Sequence, residues 1–241
     1  MAGLAQRLSD LQAAIAEACA ASGRPAAEVR LIAVSKLQPA AAVAEALGAG
    51  QCDFGENYAQ ELRDKHRELA GQPGAAALRW HFIGPLQRNK VHLVVGRAAL
   101  IHSVDSLELI AALAARADKH KESAGDPEFR LDCLLQVSLA GEEQKAGCSP
   151  DELPALLDAF AAAPALRCRG LMCLPPAATP EEARPYFRRL RELRDTHAQT
   201  RRPGVELCEL SMGMSQDFAV AISEGATLIR VGTALFGARP G

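Results

Sequence analysis

Aromatic residues are scarce. Phe, Tyr and Trp make up 4% of the 241 residues, with a single tryptophan. A base-stacking platform for single-stranded nucleic acid needs several such rings on one face, so that partner is disfavoured. An excess of charge of one sign is also lacking. Lysines and arginines number 27 against 29 aspartates and glutamates, a formal charge of −2, which leaves no basic surplus for a phosphate backbone. The seven cysteines are odd in number, scattered and free of any CxxC pair. They read as reduced thiols, several inside strands, and not as a disulfide framework. Six histidines supply neither HExxH nor a CxxC…HxxxH spacing, so no metal is expected. No uncharged apolar run approaches the ~20 residues of a membrane span. Arg7, Asp10 and Glu17 interrupt the apolar run that a secretory signal would need. The expectation is a cytoplasmic protein with neither nucleic-acid nor membrane partners. No Pro-, Gly- or Ser-rich linker divides the chain, so residues 1–241 read as one domain.

What is present is an alternation of two patterns. Leu4, Leu8, Leu11 and Ile15 recur at helical spacing and predict an amphipathic helix over Leu4–Ala21. The apolar run Val29–Val34 predicts a buried strand. Pro39 then opens a helix that Gly48 and Gly50 close, following the preference for proline at helix starts and glycine past their ends. Further strands are predicted at Cys52–Phe54, Arg79–Ile83, Leu100–Ser103, Leu131–Ser138, Leu166–Met172, Leu207–Leu210 and Thr227–Val231. Helices are predicted at Asn57–Ala70, Gln87–Val95, Leu107–His120, Pro150–Ala161, Pro180–Gln199 and Gln216–Glu224. Repeated βα units imply a parallel sheet covered by helices. About eight units in this length predict an α/β fold, a single-domain (β/α)8 TIM barrel with an extra N-terminal helix. A doubly wound open sheet is the rival. It commonly carries a glycine-rich turn after its first strand, and the turn here, Val34-Ser-Lys-Leu-Gln-Pro39, has no glycine.

In such a barrel the chemistry belongs at the carboxyl ends of the strands. Lys36 stands two residues beyond Val34, at the mouth, where partial desolvation would favour the neutral, nucleophilic amine. After the seventh and eighth strands come Leu210-Ser-Met-Gly-Met-Ser215 and Arg230-Val-Gly-Thr233. Ser211, Gly213, Gly232 and Thr233 offer hydroxyls and closely approachable backbone N–H groups. Loops at these two positions often hold phosphate, although two ordinary turns would read the same way. Ser215 reads as the N-cap of the following helix. Strand alternation puts Leu228 and Arg230 on one face, with Ile229 and Val231 on the other. An inward Arg230 just below the phosphate turn fits either a core ion pair or a place beside a cofactor's ring nitrogen. A lysine beside a phosphate cup suits pyridoxal 5′-phosphate or a phosphorylated sugar.

Several blocks resemble one family in order: Ala33-Val-Ser-Lys36, Phe54-Gly-Glu-Asn-Tyr58, Trp80-His-Phe-Ile-Gly-Pro-Leu-Gln-Arg-Asn-Lys90, Gly141-Glu-Glu-Gln-Lys145, Gly170-Leu-Met172, Leu210-Ser-Met-Gly-Met-Ser215 and Ile229-Arg-Val-Gly-Thr233. Over about Leu31 to Gly237 the chain resembles the pyridoxal phosphate homeostasis proteins, whose barrel is similar to the N-terminal domain of alanine racemase. The resemblance implies pyridoxal 5′-phosphate held as a Schiff base on Lys36, with its phosphate on Ser211, Gly232 and Thr233. It also implies Arg230 against the pyridine nitrogen, Asn57 beside the ring, and His81 and Met212 at the border of the pocket. Leu37 departs from a common threonine and Ser138 from a frequent asparagine. The implied function is non-catalytic: buffering and delivering the cofactor to recipient apoenzymes, with effects on vitamin B6 and amino-acid pools.

The alternative is a pyridoxal phosphate-dependent amino-acid racemase, which needs proton-transferring groups on both faces of the cofactor. In the similar racemase barrel the second base is a tyrosine, supplied through a further domain at the partner subunit. The chain's end at Gly241 leaves no room for that domain, and neither Tyr58 nor Tyr186 falls where such a base is expected. A monomeric carrier is therefore the expectation. A lysine aldolase acting on a sugar phosphate is a third possibility.

Overall fold

The alternation in the sequence becomes a closed ring of strands because each βα unit has an apolar strand and a helix with one apolar face. The computed structural model describes residues 3–139, 146–176 and 179–237. An opening helix, α1 (Leu4–Ala21), buries Leu4, Leu8, Leu11, Ile15 and Cys19. Then follow β1 (Arg30–Val34), α2 (Ala40–Gly48), β2 (Asp53–Glu56), α3 (Ala59–Leu69), β3 (Arg79–Phe82), α4 (Val91–Val94), β4 (Ala98–Val104) and α5 (Leu107–Ala124). The second half contains β5 (Leu131–Gln136), α6 (Leu153–Ala161), β6 (Leu166–Met172), α7 (Pro180–Ala198), β7 (Val205–Ser211), α8 (Phe218–Ser223), β8 (Leu228–Val231) and α9 (Thr233–Phe236). All eight strands are parallel and in sequence order. The barrel closes where β1 meets β8, with Ile32 opposite Arg230 and Ala33 opposite Val231. Among the described residues no helix is long and apolar enough to cross a membrane.

Two cores result from the two faces of each strand. Outward side chains pack under the helices, and the few aromatics concentrate there: Phe54, Phe82, Phe160 and Phe187 are fully buried. Inward side chains form a separate, small cluster of Ile32, Leu100, Leu134, Met172 and Leu228. Leu228 lies in the inner cluster while Ile229 and Val231 lie in the outer one, as the alternation in β8 requires. The inner space also holds buried polar groups, His81, His102, Ser211 and Arg230.

Four elements differ from the sequence expectation. β2 continues through Gly55 and Glu56, which pair with His81 and Phe82; a glycine and a glutamate look like loop residues, but both are buried here. The helix expected over Gln87–Val95 is a 3-10 turn, Arg88–Lys90, leading into the single turn of α4. Ser215 does not cap α8, because that helix starts three residues later with Asp217 at its N-cap. Asp217 accepts the Met214 N–H at 2.5 Å, tying the loop together instead. α9 follows β8 directly and had no separate signal in the sequence.

Candidate functional site

The carboxyl ends of β1, β2 and β8 meet the loops after β3, β6 and β7 around a cavity of about 370 Å3. That lies within the ~300–1,000 Å3 range of small-molecule sites. Val34, Ile83, Leu174 and Phe236 supply apolar wall; Lys36, Gln38, Asn57, Ser215, Arg230 and Thr233 supply polar groups; Gly232 brings backbone to the surface.

Lys36 is half-buried, and the chain beneath it is fixed from below. The Ser35 N–H donates to the Gly55 carbonyl at 3.0 Å, and the Ser35 hydroxyl donates to Glu56 Oε1 at 2.6 Å. Lys65, reaching in from α3, donates to the Ser35 carbonyl, Glu56 Oε1 and Glu61 Oε1 at 2.6, 2.7 and 2.7 Å. Burial pushes the Glu56 carboxyl up to about 7, against the pull of Lys65 and of the Ser35 hydroxyl. Leu37 then turns the chain with φ of 62°, a left-handed conformation unfavourable for a branched side chain. Its N–H is held by Glu61 Oε1 at 2.6 Å.

Asn57 is the first residue past β2, and Gly84 seats it. A Cβ at position 84 would stand 2.2 Å from the Asn57 carbonyl oxygen and 2.6 Å from its Cα. Glycine at 84 thus lets two backbones touch. On the opposite wall, Gly213 has φ of 90°, and a Cβ there would lie 2.5 Å from the Ala221 Cβ. The turn that glycine permits carries Met214 and Ser215 to the cavity. Gly232 lies close to β1, where a Cβ would be 3.1 Å from the Val34 carbonyl oxygen. Thr233 begins α9, whose first N–H groups have no acceptor within the helix.

Arg230 is 4% exposed. Its Nη1 donates to Ser211 Oγ at 2.5 Å and its Nη2 to the Cys173 carbonyl at 3.0 Å. Among the described residues no carboxylate pairs with it, so the core ion pair considered for this arginine is absent. Burial pushes its pKa down from the usual guanidinium value.

The cavity therefore brings together Lys36, Asn57, Arg230, Gly232 and Thr233. It does not bring in Ser211, whose hydroxyl is buried and committed to Arg230 and, at 2.8 Å, to His102 Nδ1. The hydroxyl that this loop brings to the cavity wall is that of Ser215, four residues on. The pattern of two serines around a glycine was visible, but which one faces the cavity depends on the positive φ of Gly213. His81 and Met212 do not line the cavity either: His81 is inside the barrel and Met212 belongs to the outer core. The stretch 141–145 lies outside the described residues. A primary amine, two hydroxyls, helix-start N–H groups and a buried cation fit an aldehyde that carries an anionic group and a ring acceptor.

The sequence profile of the alanine racemase N-terminal domain matches residues 7–240. A pyridoxal phosphate homeostasis protein of Pseudomonas aeruginosa is 46% identical over 241 residues, covering 99% of this chain and 97% of that one. One from Aquifex aeolicus is 41% identical, with 97% of each chain covered. The chain belongs to the pyridoxal phosphate homeostasis protein family. Among solved structures, PipY of Synechococcus elongatus with pyridoxal phosphate bound superposes with a TM-score of 0.81 at 40% identity, covering 98% of this chain and all of PipY. Alanine racemase of Corynebacterium glutamicum shares the fold, with a TM-score of 0.62 at 17% identity. There the match takes in 96% of this chain but 61% of the racemase. The homeostasis family, by contrast, is matched along nearly its whole length.

Proposed function

We propose that this protein binds pyridoxal 5′-phosphate in the barrel-mouth cavity and stores and delivers it without turning over amino acids. The observation that carries this reading is the convergence of Lys36, Arg230 and the Ser215–Gly232–Thr233 wall on one cavity. The bound cofactor of the 40% identical PipY supports it. The cofactor supplies an aldehyde carbon that accepts a primary amine. Lys36 provides that amine, held at the rim by the Ser35–Glu56–Lys65 bonds beneath it. Ser215, Thr233 and the N–H groups at the start of α9 provide donors for the phosphate. Arg230 can only donate, so a ring nitrogen facing it stays unprotonated. That weakens the ring as an electron sink.

Racemisation needs proton-transferring groups on both faces of the substrate. Among the described residues of the cavity wall, Lys36 is the one amine, and no carboxylate, imidazole, thiol or phenol stands opposite it. Tyr58 is 53% exposed and off the wall, and Tyr186 lines a different, much smaller cavity. A cytoplasmic, monomeric, single-domain carrier that hands its cargo to recipient apoenzymes completes the reading. Chiral analysis of single-enantiomer amino acids in deuterated water tests it. Inversion above the background of free cofactor should be absent, while transfer to an apoenzyme is measurable. Multiple-turnover inversion with deuterium at the α-carbon, lost in Lys36→Ala, would restore the racemase.

A further inference from the structure

A line of buried polar side chains crosses the barrel interior and ends on Arg230. His81 Nε2 lies 2.9 Å from Asp53 Oδ1, His81 Nδ1 lies 2.9 Å from His102 Nε2, and His102 Nδ1 lies 2.8 Å from Ser211 Oγ. Ser211 Oγ accepts from Arg230 Nη1. At the far end, the Arg79 fork bonds both Asp53 oxygens at 2.8 and 2.5 Å.

The two ends dictate the direction of the whole line. An ionised Asp53 only accepts and Arg230 only donates, while the three groups between them can each donate one bond and accept another. One arrangement satisfies every atom. Arg230 donates to Ser211, Ser211 to His102 Nδ1, His102 Nε2 to His81 Nδ1, and His81 Nε2 to Asp53. Both imidazoles are then neutral, with the proton on Nε2. A further proton on either ring leaves the Ser211 hydroxyl hydrogen without an acceptor at a fully buried position. The charged groups facing the pair act in the same sense. Arg30 of β1, Arg79 of β3 and Arg230 of β8 disfavour an imidazolium, and among the described residues Asp53 of β2 opposes them.

We propose that Asp53, His81, His102 and Ser211 form a one-way hydrogen-bonded chain that positions Arg230 as a fixed donor on the cavity wall. Its consequence for the cofactor rests on the binding function proposed above; the chain itself does not. It also accounts for a buried guanidinium with no carboxylate partner among the described residues. Among the described residues its acceptors are two neutral oxygens, the Ser211 hydroxyl, which the rest of the line orients, and the Cys173 carbonyl.

The test is side-chain 15N NMR of the full-length protein, cofactor-free and saturated with pyridoxal phosphate. Both His81 and His102 should be neutral Nε2–H tautomers with shifts constant from about pH 6 to about pH 8. Arg230 should show separate Nη1 and Nη2 signals, because a clamped guanidinium rotates slowly. His102→Leu cuts the chain and should average those signals. It should also speed cofactor release about tenfold and shift the visible band. His102→Gln keeps an acceptor for Ser211 and a donor for His81, and should stay within about threefold of the parent. An Nδ1–H tautomer or an imidazolium on either ring would overturn the proposal. So would a folded His102→Leu protein with unchanged Arg230 signals and release rate. If His102→Leu fails to fold, the tautomers of the parent protein decide. If the parent binds no pyridoxal phosphate, the proposed function fails while the NMR still judges the chain.

Discussion

Gly84 offers a graded test of how the site is assembled. A Cβ there would overlap the Asn57 backbone at 2.2 and 2.6 Å, far inside van der Waals contact. Its neighbours are main-chain atoms at the end of β2, so no side chain can swing away. Either the 82–84 segment or Asn57 must move by about 1 Å. Overpacking of this kind costs about 1–3 kcal/mol and sometimes more. Gly84→Ala should therefore lose about 3 kcal/mol in urea unfolding and weaken cofactor retention, since Asn57 is on the cavity wall. Gly232→Ala meets the Val34 carbonyl at 3.1 Å, a few tenths of an ångström too close, and should cost about 1 kcal/mol. Gly48→Ala, at the last turn of α2 with nothing within 4 Å, should be neutral or stabilising by up to about 1 kcal/mol. Equal stability of the three variants, or a Gly84→Ala protein that unfolds and binds like the parent, would refute the close-approach reasoning.

Three further outcomes follow from the same geometry. Burial alone would raise the Asp53 carboxyl, but the Arg79 fork and His81 hold it down at about 2. A depressed carboxyl contributes stability above its ordinary value near 4 and loses it as pH falls from about 4 to about 2. Asp53→Asn should remove that acid-dependent portion, at most about 2 kcal/mol because Arg79 is half-exposed and screened, as read by denaturant titrations between pH 2 and 5. Thr233→Ala and Ser215→Ala should each weaken retention of pyridoxal phosphate by about 1–3 kcal/mol, the value of a hydrogen bond to a charged group, while leaving the affinity for pyridoxal nearly unchanged in equilibrium dialysis. Ser211→Ala should weaken both ligands alike, because it acts through Arg230.

Much of the barrel was legible because its signals are local. Short β-rich runs, proline at helix starts and the alternation of Leu228, Ile229, Arg230 and Val231 each follow from neighbouring residues. What was not legible depends on partners distant in sequence. Glu56 reads as a loop residue until Lys65, on the next helix, is seen to pair with it at 2.7 Å. The choice between Ser211 and Ser215 turns on one backbone angle at Gly213. The contacts of His102 with His81 and Ser211 span 21 and 109 residues of chain, and no periodicity records them. Lys36, Gly232 and Thr233 could be singled out because they stand one or two residues past strands, where a barrel presents its chemistry, whereas Asn57 came only with the family resemblance.

The most direct test is to load the protein with pyridoxal 5′-phosphate, reduce it with borohydride and map the modified peptide. The visible band should disappear, and the cofactor should remain on the peptide that contains Lys36. Lys36→Ala should fold normally, since the side chain sits at the rim, but show neither band nor label. Label on Lys65 or Lys90, or a wild-type protein that stays colourless with the cofactor in excess, would contradict the assignment of Lys36 and of the cavity it faces.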